Sequence, residues 1–348
     1  MRILIANVWI GGRSGSEVYT KDLAMGLHRR GHICTVFVAQ IKQEDADVRE
    51  LRKSGIRVTE LPDAADVPDV IIGHHLRETT LACLRYPKTP AIQVCHDATN
   101  ERDRAAGPEI VQAWGAVDAF CQERFVRETG LLPEKIHLSF NSVDLLLFPP
   151  RATPPPIPPG RAVFFFSNAS TPAPLWAVRE ACQRQGITLD VIGPGARFEQ
   201  EPAHVLAGYD LVFGKARCAI EAMASGAHVI LFAPEGIGPE ISPDNFHELR
   251  QRNFGRSLLT EPVGAELLQR RILGLKPETT AEVTRLIRLH NSTEKLAEHM
   301  EAILRTIASV NVDRPVVRIR LRQAGERLAA SCRRKVARLL GRAPRACP

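Results

Sequence analysis

Residues 209–230 read Tyr-Asp-Leu-Val-Phe-Gly-Lys-Ala-Arg-Cys-Ala-Ile-Glu-Ala-Met-Ala-Ser-Gly-Ala-His-Val-Ile. The apolar run 211–213 predicts a buried parallel strand, and Gly214 predicts a tight turn after it. Helical spacing over 218–224 predicts a helix, which Gly226 ends before the next strand. This stretch therefore predicts the strand-turn-helix unit of an open parallel sheet.

The start of that helix carries charges suited to an anionic ligand. Backbone N–H groups are unpaired in the first turn of a helix, and its dipole favours negative charge there. Lys215 and Arg217 add positive charge, so a phosphate is the natural guest. Glu221 follows one turn later, where a carboxylate can accept hydrogen bonds from ribose hydroxyls. The alternative is a purely structural unit with a solvated Lys-Arg pair.

Length and composition predict two domains without a membrane span. The 348 residues exceed one typical core. No apolar run approaches the roughly 20 residues of a membrane helix. The short apolar stretch 2–7 predicts a first strand and not a signal peptide. The eight cysteines form no Cys-x-x-Cys pair, so we expect reduced thiols in a cytoplasmic protein.

The positive charge is concentrated at the end of the chain. The net charge is +7, yet residues 314–348 alone hold ten arginines and one lysine against one glutamate. The preceding residues hold 35 basic and 38 acidic side chains. A nearly neutral globular part argues against a specific nucleic-acid partner.

A glycine-rich loop, 11–17, follows the first predicted strand. Ser14 and Glu17 in it have the spacing of a helix capping box. Helical periodicity continues to about Arg30, and the apolar run 33–38 predicts the next strand. The loop therefore opens a βαβ unit, although a tight turn alone also explains its glycines.

Histidines recur at the ends of predicted strands. His74 and His75 follow the strand 70–72, and His96 follows the strand 91–94. Because ligands bind beyond the carboxyl ends of strands in open parallel sheets, these side chains are cleft candidates. The alternative for each is a turn histidine with a structural hydrogen bond.

Two stretches resemble family-4-type retaining glycosyltransferases, which have the GT-B fold of two Rossmann-like domains. Residues 221–226, Glu-Ala-Met-Ala-Ser-Gly, are similar to the family's donor-nucleotide motif. Residues 141–149, Asn-Ser-Val-Asp-Leu-Leu-Leu-Phe-Pro, resemble the motif that closes its N-terminal domain. The resemblance extends over about residues 1–307. A proline-rich linker then falls at 151–161.

The resemblance implies a donor and an acceptor site at strand ends that face a cleft. Glu221 would hold the donor's ribose, and His96 would lie near the donor sugar. By their charge and their place at a helix start, Lys215 and Arg217 would bind the diphosphate in place of the family's Arg and Lys, and with His96 they form the predicted catalytic set. Their charges would stabilise the leaving nucleotide diphosphate without a metal. The other donor residues are Gly12, Gly193, Gly214 and Glu240, and the acceptor residues are Gly11, Ser16 and His75.

Two departures from the family pattern stand out. The family carries a first glutamate eight positions before the one that Glu221 matches, and Phe213 occupies that place here. Its Arg and Lys after the first strand of the second domain are also absent, because residues 167–172 read Ser-Asn-Ala-Ser-Thr-Pro. Periodicity over 282–307 predicts one long closing helix that packs back on the first domain.

The sequence thus predicts a GT-B protein with domains at 1–150 (acceptor side) and 162–310 (donor side). Its predicted activity is retaining transfer of a hexose from a nucleotide diphosphate sugar to an acceptor glycan or lipid-linked acceptor, without a cofactor. One alternative is a nucleotide-sugar 2-epimerase of the same fold, which would need acid-base carboxylates. Another is a non-catalytic sugar-nucleotide-binding protein, which both departures favour.

The basic tail, 314–348, has a separate predicted role. Leu328, Cys332, Val336 and Leu339 repeat at helical spacing among arginines. A helix of this kind suits an anionic membrane surface and would hold the protein at the inner face, near a lipid-linked acceptor. The alternative is a solvated basic tail, or one that binds nucleic acid non-specifically.

Overall fold

The computed structural model describes residues 1–314 except positions 13, 44, 64, 166–174, 194–195, 197–198 and 200–201. The N-terminal sheet has seven strands, all paired in parallel. They are Arg2–Ile10 (β1), Ile33–Ile41 (β2), Arg57–Thr59 (β3), Val70–Gly73 (β4), Ala91–Cys95 (β5), Ala113–Ala116 (β6) and Ile136–Leu138 (β7). Their order across the sheet is β3-β2-β1-β4-β5-β6-β7. The helices between them are Gly15–Arg29 (α1), Ala46–Lys53 (α2), Leu76–Arg85 (α3) and Ala119–Thr129 (α4).

The second domain is built on a five-stranded sheet. Its strands are Arg161–Phe165 (β8), Thr188–Ile192 (β9), Leu211–Gly214 (β10), His228–Ala233 (β11) and Gly236–Ile237 (β12). The order is β12-β11-β10-β8-β9, and only β12 is antiparallel. The helices are Leu175–Arg184 (α5), Pro202–Leu206 (α6), Ala216–Ala224 (α7), Phe246–Gln251 (α8), Ala265–Leu273 (α9), Pro277–His290 (α10) and Thr293–Ala308 (α11). The two predicted Rossmann-like domains are confirmed.

Central strands are apolar along most of their length because helices cover both faces of each sheet. In β10, Leu211, Val212 and Phe213 are all buried. The turn after β10 differs from the prediction, because the residue with positive φ is Ala216 (φ 49°) and not Gly214. Gly214 is needed for a close approach, since a Cβ there would lie 3.1 Å from the carbonyl oxygen of Phe165.

The prediction of one helix over 282–307 is wrong, because α10 and α11 are separated at Asn291 and Ser292. Asn291 turns away to donate its side-chain N–H to the carbonyl of Asn141 at 2.8 Å. Ser292 caps α11 by accepting from the backbone N–H of Lys295 at 3.1 Å. The predicted packing is confirmed, since α11 buries its apolar face in the N-terminal core through Leu296, Ala297, Met300, Ile303, Leu304 and Ile307.

The chain crosses between the domains twice, at neighbouring places. Val143 donates its N–H to the carbonyl of Asn291 at 2.8 Å and accepts from the N–H of Thr293 at 3.1 Å. Val143 and Phe148 already pack in the C-terminal core. The core therefore changes domain before the proline-rich linker begins.

Arg314, the last described residue, is bound to the N-terminal domain through its side chain. Its guanidinium is buried and donates to the carbonyls of Ile110 at 2.7 Å and Thr89 at 2.8 Å. These carbonyls precede β6 and β5, so they lie at the amino ends of the strands. The predicted tail leaves from there, and residues 315–348 lie outside the described residues.

Candidate functional site

The carboxyl ends of the two sheets meet at a contact between α1 and α7. Nη1 of Arg217 on α7 lies 2.8 Å from Oδ2 of Asp22 on α1. Helix α1 follows β1, and α7 follows β10. Because ligands bind beyond the carboxyl ends of parallel strands, the surface around this contact is the candidate site.

A cluster of aromatic and imidazole rings forms the N-terminal side of the site. Nε2 of His96 lies 2.9 Å from Nδ1 of His74. Tyr19 packs edge-on against both rings, with centroids 5.4 Å from His74 and 4.8 Å from His96. The Tyr19 hydroxyl is within 2.6 Å of Oγ of Ser139. Helix α1 and the ends of β4 and β5 thus hold these rings in fixed positions.

Both histidines of this cluster are neutral at physiological pH. Burial, with a smaller contribution from the neighbouring His75, lowers the pKa of His74 to about 3. Burial, with His74, His75 and Arg217 nearby, lowers the pKa of His96 well below its ordinary range. The predicted catalytic residue His96 can therefore exchange hydrogen bonds with a ligand but does not bring a positive charge.

Asp103 connects the predicted acceptor residue His75 to this cluster. One carboxylate oxygen of Asp103 accepts from the backbone N–H of His96 at 2.9 Å. The other lies 3.5 Å from Nδ1 of His75. Asp103 is buried in the short 3₁₀ turn Glu101–Asp103 after β5. It orients the main chain at His96 and places His75 beside it.

Trp9 and Arg102 extend the same edge of the sheet. Trp9 is partly buried near the carboxyl end of β1, and the Arg102 guanidinium lies 4.7 Å from its ring centroid. Arg102 is exposed. This cation-π pair offers an aromatic face and a positive charge beside the histidine cluster.

The glycine loop is closed by its own chain. Glu17 is buried, and its carboxylate accepts from the backbone N–H groups of Gly12 and of Ser14, the latter at 3.2 Å. Gly11 has a positive φ and no room for a Cβ, which would lie 2.8 Å from Cβ of Asp45. The carbonyl of Ser16 accepts from the Asn7 side chain at 3.1 Å. The predicted binding residues Gly11, Gly12 and Ser16 thus lie in one loop. The Glu17 carboxylate already accepts hydrogen bonds from backbone N–H groups of this loop.

Arg217 lies in the contact between the domains. Nη1 donates to Asp22 and, at 2.9 Å, to the carbonyl of Ser142 beside the domain crossing. Its Nε and Nη2 are buried and have no hydrogen-bond partner among the residues that the structure describes. One edge of the guanidinium is therefore paired, and the edge that can grip two oxygens at once is unpaired.

Lys215 is also paired. Its Nζ lies 2.9 and 3.0 Å from the two carboxylate oxygens of Glu235, in the turn between β11 and β12. Nε of Arg256 reaches the same carboxylate at 3.4 Å. These cations hold the pKa of Glu235 below its ordinary value despite its partial burial. Unlike Arg217, Lys215 is about one-third exposed.

Strained backbone surrounds the start of α7. Ala216, Asn253 and Phe254 are the non-glycine residues with positive φ among those described. The N–H of Ala216 donates to the carbonyl of Phe254 at 2.7 Å. Such conformations cost about 1–3 kcal/mol each and collect at functional sites.

Glu221 is buried on α7, and Oε1 is 3.9 Å from Nη1 of Arg217. The structure thus brings the predicted ribose and phosphate residues together. Phe213, at the place of the family's first glutamate, points into the core and packs edge-on with Phe232. No carboxylate reaches the cleft from that position.

Glu240 is not with the other donor residues. It pairs with Nη1 of Arg271 at 2.9 Å and lines a separate cavity of about 190 Å³ near the amino end of β11. Gly193 follows β9 at the carboxyl edge with φ of 151°. Its neighbours 194–195 lie outside the described residues.

Sequence reasoning did not assign several residues that build the site. Asp22 and Tyr19 are buried polar groups whose partners are distant in the chain, and Asp103 is a buried carboxylate in the turn after β5. A polar residue at an otherwise apolar helical position, such as Asp22, is the signal that could have found them. The missed cation-π pair is Trp9 and Arg102.

Comparison with known proteins shows the fold. No family model matches the chain, and no curated protein matches it. A solved glycosyltransferase from Rickettsia africae is 12% identical, with a TM-score of 0.61 over 88% of this chain and 99% of that one. Anabaena HepE, in complex with UDP-glucose, is 14% identical, with a TM-score of 0.57 over 88% and 100%. The UDP-GlcNAc 2-epimerase of Neisseria meningitidis, bound to UDP-GlcNAc, is 10% identical, with a TM-score of 0.52 over 88% and 100%. The fold is GT-B.

In the part of the chain that the structure describes, no helix is long and apolar enough to span a membrane. The six cysteines described there are buried, and none of them forms a disulfide with another described residue. No group of three or more metal-ligating side chains comes together within the same residues. Transfer without a metal stays a prediction.

Proposed function

We propose that the protein transfers a sugar from a nucleotide diphosphate sugar to an acceptor. The observation that carries this is the pairing of Arg217 with Asp22, which sets a cationic helix start opposite a neutral histidine cluster. The cationic part of the site suits a diphosphate, and the part formed by neutral hydrogen-bonding groups suits a sugar. The GT-B fold supports this assignment.

The diphosphate would bind at the start of α7. The unpaired Nε and Nη2 of Arg217 form the edge that takes two phosphate oxygens in one plane. That edge is covered in the present arrangement, so the ligand must separate α1 from α7 to reach it. Lys215 would contact the diphosphate after exchanging Glu235 for it. Glu221 would hold the ribose, as the resemblance implies.

The sugar and the acceptor would lie against the N-terminal domain. His96 would hydrogen-bond the donor sugar, with Asp103 fixing its main chain. His75, Gly11 and Ser16 would face the acceptor. Trp9 and Arg102 extend this surface with an aromatic face on which a sugar ring can stack.

In the reaction, the bond from the anomeric carbon to the diphosphate oxygen breaks, and the acceptor oxygen bonds to that carbon. The acceptor's proton passes to the departing diphosphate. Negative charge grows on the diphosphate, and Arg217, Lys215 and the α7 dipole stabilise it. Retention at the anomeric carbon is proposed from the resemblance alone.

A panel of UDP-glucose, UDP-galactose, UDP-GlcNAc and GDP-mannose tests the proposal, each with and without a crude lipid and glycan acceptor extract. Acceptor-dependent release of nucleoside diphosphate supports transfer. Formation of a new sugar epimer without an acceptor supports the 2-epimerase alternative. The fold similarity to a UDP-GlcNAc 2-epimerase is the reason to test for this product. Binding without any turnover supports a non-catalytic binding protein, consistent with the buried Phe213.

Glu221→Gln tests the donor site separately. Loss of hydrogen bonds to a charged group should weaken nucleoside diphosphate binding by about 1–3 kcal/mol in calorimetry. Glu298→Gln, in an exposed pair with Lys295, is the control and should leave binding unchanged. Unchanged affinity in the Glu221 variant, with an intact thermal unfolding profile, removes Glu221 from the site.

The basic tail would hold the protein on an anionic membrane surface near a lipid-linked acceptor. Arg314 supports a defined point of departure, because its guanidinium is bound by carbonyl groups of the folded domain. Basic residues near such a surface contribute about 1 kcal/mol each.

Sedimentation with phosphatidylglycerol or phosphatidylcholine vesicles tests the tail. We expect the full chain to sediment with the anionic vesicles only, and less at high salt. A chain ending at Arg314 keeps the buried anchor and should stay in solution while binding nucleotide normally. Equal sedimentation of both chains would refute the membrane role.

A further inference from the structure

We propose that His74 is a positioning residue that fixes His96 in its Nδ1–H form, so that His96 presents an N–H donor to the ligand. The inference deepens the proposed function and rests on it for the identity of that ligand. Its basis is a single hydrogen bond between two neutral rings, one of which is completely enclosed.

The hydrogen bond requires one ring to donate and the other to accept. Nε2 of His96 and Nδ1 of His74 are 2.9 Å apart. A neutral imidazole carries one proton, so each ring has one donor and one acceptor nitrogen. Whichever ring donates here therefore fixes the tautomer of both.

The surroundings of His74 decide which ring donates. Its side chain is fully buried, and within the described part of the chain its Nε2 has no hydrogen-bond partner. A proton on Nε2 would create an unpaired buried N–H, which is rarer and more costly than an unpaired acceptor nitrogen. The proton of His74 therefore belongs on Nδ1, which donates to Nε2 of His96.

The tautomer of His96 follows from this donation. Because Nε2 of His96 accepts, its own proton is on Nδ1. His96 is partly buried, and its Nε2 is the nitrogen bound to His74, so Nδ1 is the ring nitrogen that would meet a ligand. Tyr19 keeps both rings from rotating, because its ring meets each of them edge-on and its hydroxyl bonds Ser139. The result is a fixed N–H donor for a hydroxyl or ring oxygen of a sugar.

Two-bond ¹H–¹⁵N correlation spectra of the ¹⁵N-histidine-labelled full chain read the tautomer directly, with His96→Gln used to assign the signals. We expect the Nδ1–H form for His96 in the wild type. His74→Asn places an amide N–H where Nδ1–H stood and should retain that form. His74→Asp offers only an acceptor and should reverse His96 to Nε2–H or to the doubly protonated ring.

The inference is overturned if wild-type His96 carries its proton on Nε2, a result that does not depend on how well either variant folds. Binding supplies the second readout, in calorimetry with UDP-glucose and with UDP. His74→Asp should lower the affinity for UDP-glucose by about tenfold, as expected for one lost hydrogen bond, and leave the affinity for UDP unchanged. His74→Asn should bind both ligands as the wild type does. If UDP-glucose binds no more tightly than UDP even to the wild type, the proposed sugar site fails while the spectra still decide the tautomer.

Discussion

The N-terminal and C-terminal sides of the cleft differ in the charge of their polar side chains. On the N-terminal side, His74 and His96 are uncharged and hydrogen-bonded to each other. On the C-terminal side, Arg217 and Lys215 keep their charges and are paired with carboxylates. The first side is already assembled before a ligand arrives. On the second side the ligand's anion would have to replace Glu235 at Lys215 and open the contact between Arg217 and Asp22 to reach the free edge of Arg217.

That exchange has different costs at the two cations. Glu235 belongs to the same domain as Lys215, so a local side-chain movement frees this lysine. Asp22 belongs to the other domain, and its pair with Arg217 is buried. Release of Arg217 therefore requires α1 and α7 to move apart, which couples anion binding to the domain arrangement in the proposed function.

The largest effect is expected from Asp22→Asn. Removing one partner of a buried ion pair leaves an uncompensated charge, which costs about 3–5 kcal/mol. We expect a loss of that size in denaturant unfolding monitored by circular dichroism. Nucleoside diphosphate should nevertheless bind the variant more tightly, because the ion pair that holds α1 against α7 no longer has to be broken before the ligand reaches the free edge of Arg217.

Asp47→Asn is the matched control. Asp47 pairs with Lys21 at 2.8 Å, and both side chains are as buried as those of the interdomain pair. This pair lies within the N-terminal domain, so the variant should lose stability without a change in nucleotide affinity. Glu50 also pairs with Lys21, so a smaller loss of stability is expected than for Asp22→Asn. Parallel changes in affinity for both variants would contradict the exchange at Arg217.

An intermediate loss of stability is expected when the pH is lowered, because His74 is buried in its neutral form. The folded pKa of His74 is about 3, below the ordinary value of about 6.5. Below pH 6.5 the unfolded chain therefore binds a proton that the folded chain does not, and stability falls by about 1.4 kcal/mol per pH unit for this group. From pH 6.5 to 5 the loss from His74 is about 2 kcal/mol.

His74→Asn should make the dependence of the unfolding midpoint on pH correspondingly shallower. His228, whose pKa burial lowers to about 4, supplies a comparison in the other domain, and His228→Asn should remove a similar slope. Identical pH profiles for the wild type and the His74 variant would show that the pKa of His74 is the same in the folded and the unfolded protein.

The smallest effect on stability is expected at Lys215. An ion pair as exposed as Lys215 with Glu235 contributes about 0–1 kcal/mol. The free energy of unfolding of Lys215→Ala should therefore lie within about 1 kcal/mol of the wild-type value, which is the upper limit for such pairs. Its turnover in the nucleotide-sugar panel should nevertheless be lower. Lys295→Ala, which breaks an exposed pair with Glu298, should change neither property. A large stability loss for Lys215→Ala alone would assign the residue a structural role.

Local patterns were sufficient for the fold. The apolar run before Gly214 predicted β10, and the periodic face with Leu296 and Met300 predicted which surface of α11 packs on the first domain. The break between α10 and α11 has a long-range cause in Asn141, which the sequence pattern did not reveal, and a local one in the Ser292 cap, which was overlooked.

The candidate site was less predictable for the same reason. Sequence placed Lys215 and Arg217 at a helix start, and the structure agrees. Their carboxylate partners could not be found, because Asp22 is 195 positions from Arg217 and no periodicity links the two. Charges that looked free in the sequence are neutralised by long-range pairing.

Helix α11 also has a consequence for how the protein is made. Gly26 of α1 packs so closely on this helix that a Cβ at Gly26 would lie 2.8 Å from Cβ of Ala297. The core of the first domain thus includes residues synthesised after the whole second domain. Domains usually fold in order as they leave the ribosome. Here we expect the nascent first domain to keep an uncovered apolar groove along α1 until residues 293–308 have emerged, and to depend on chaperones during that interval.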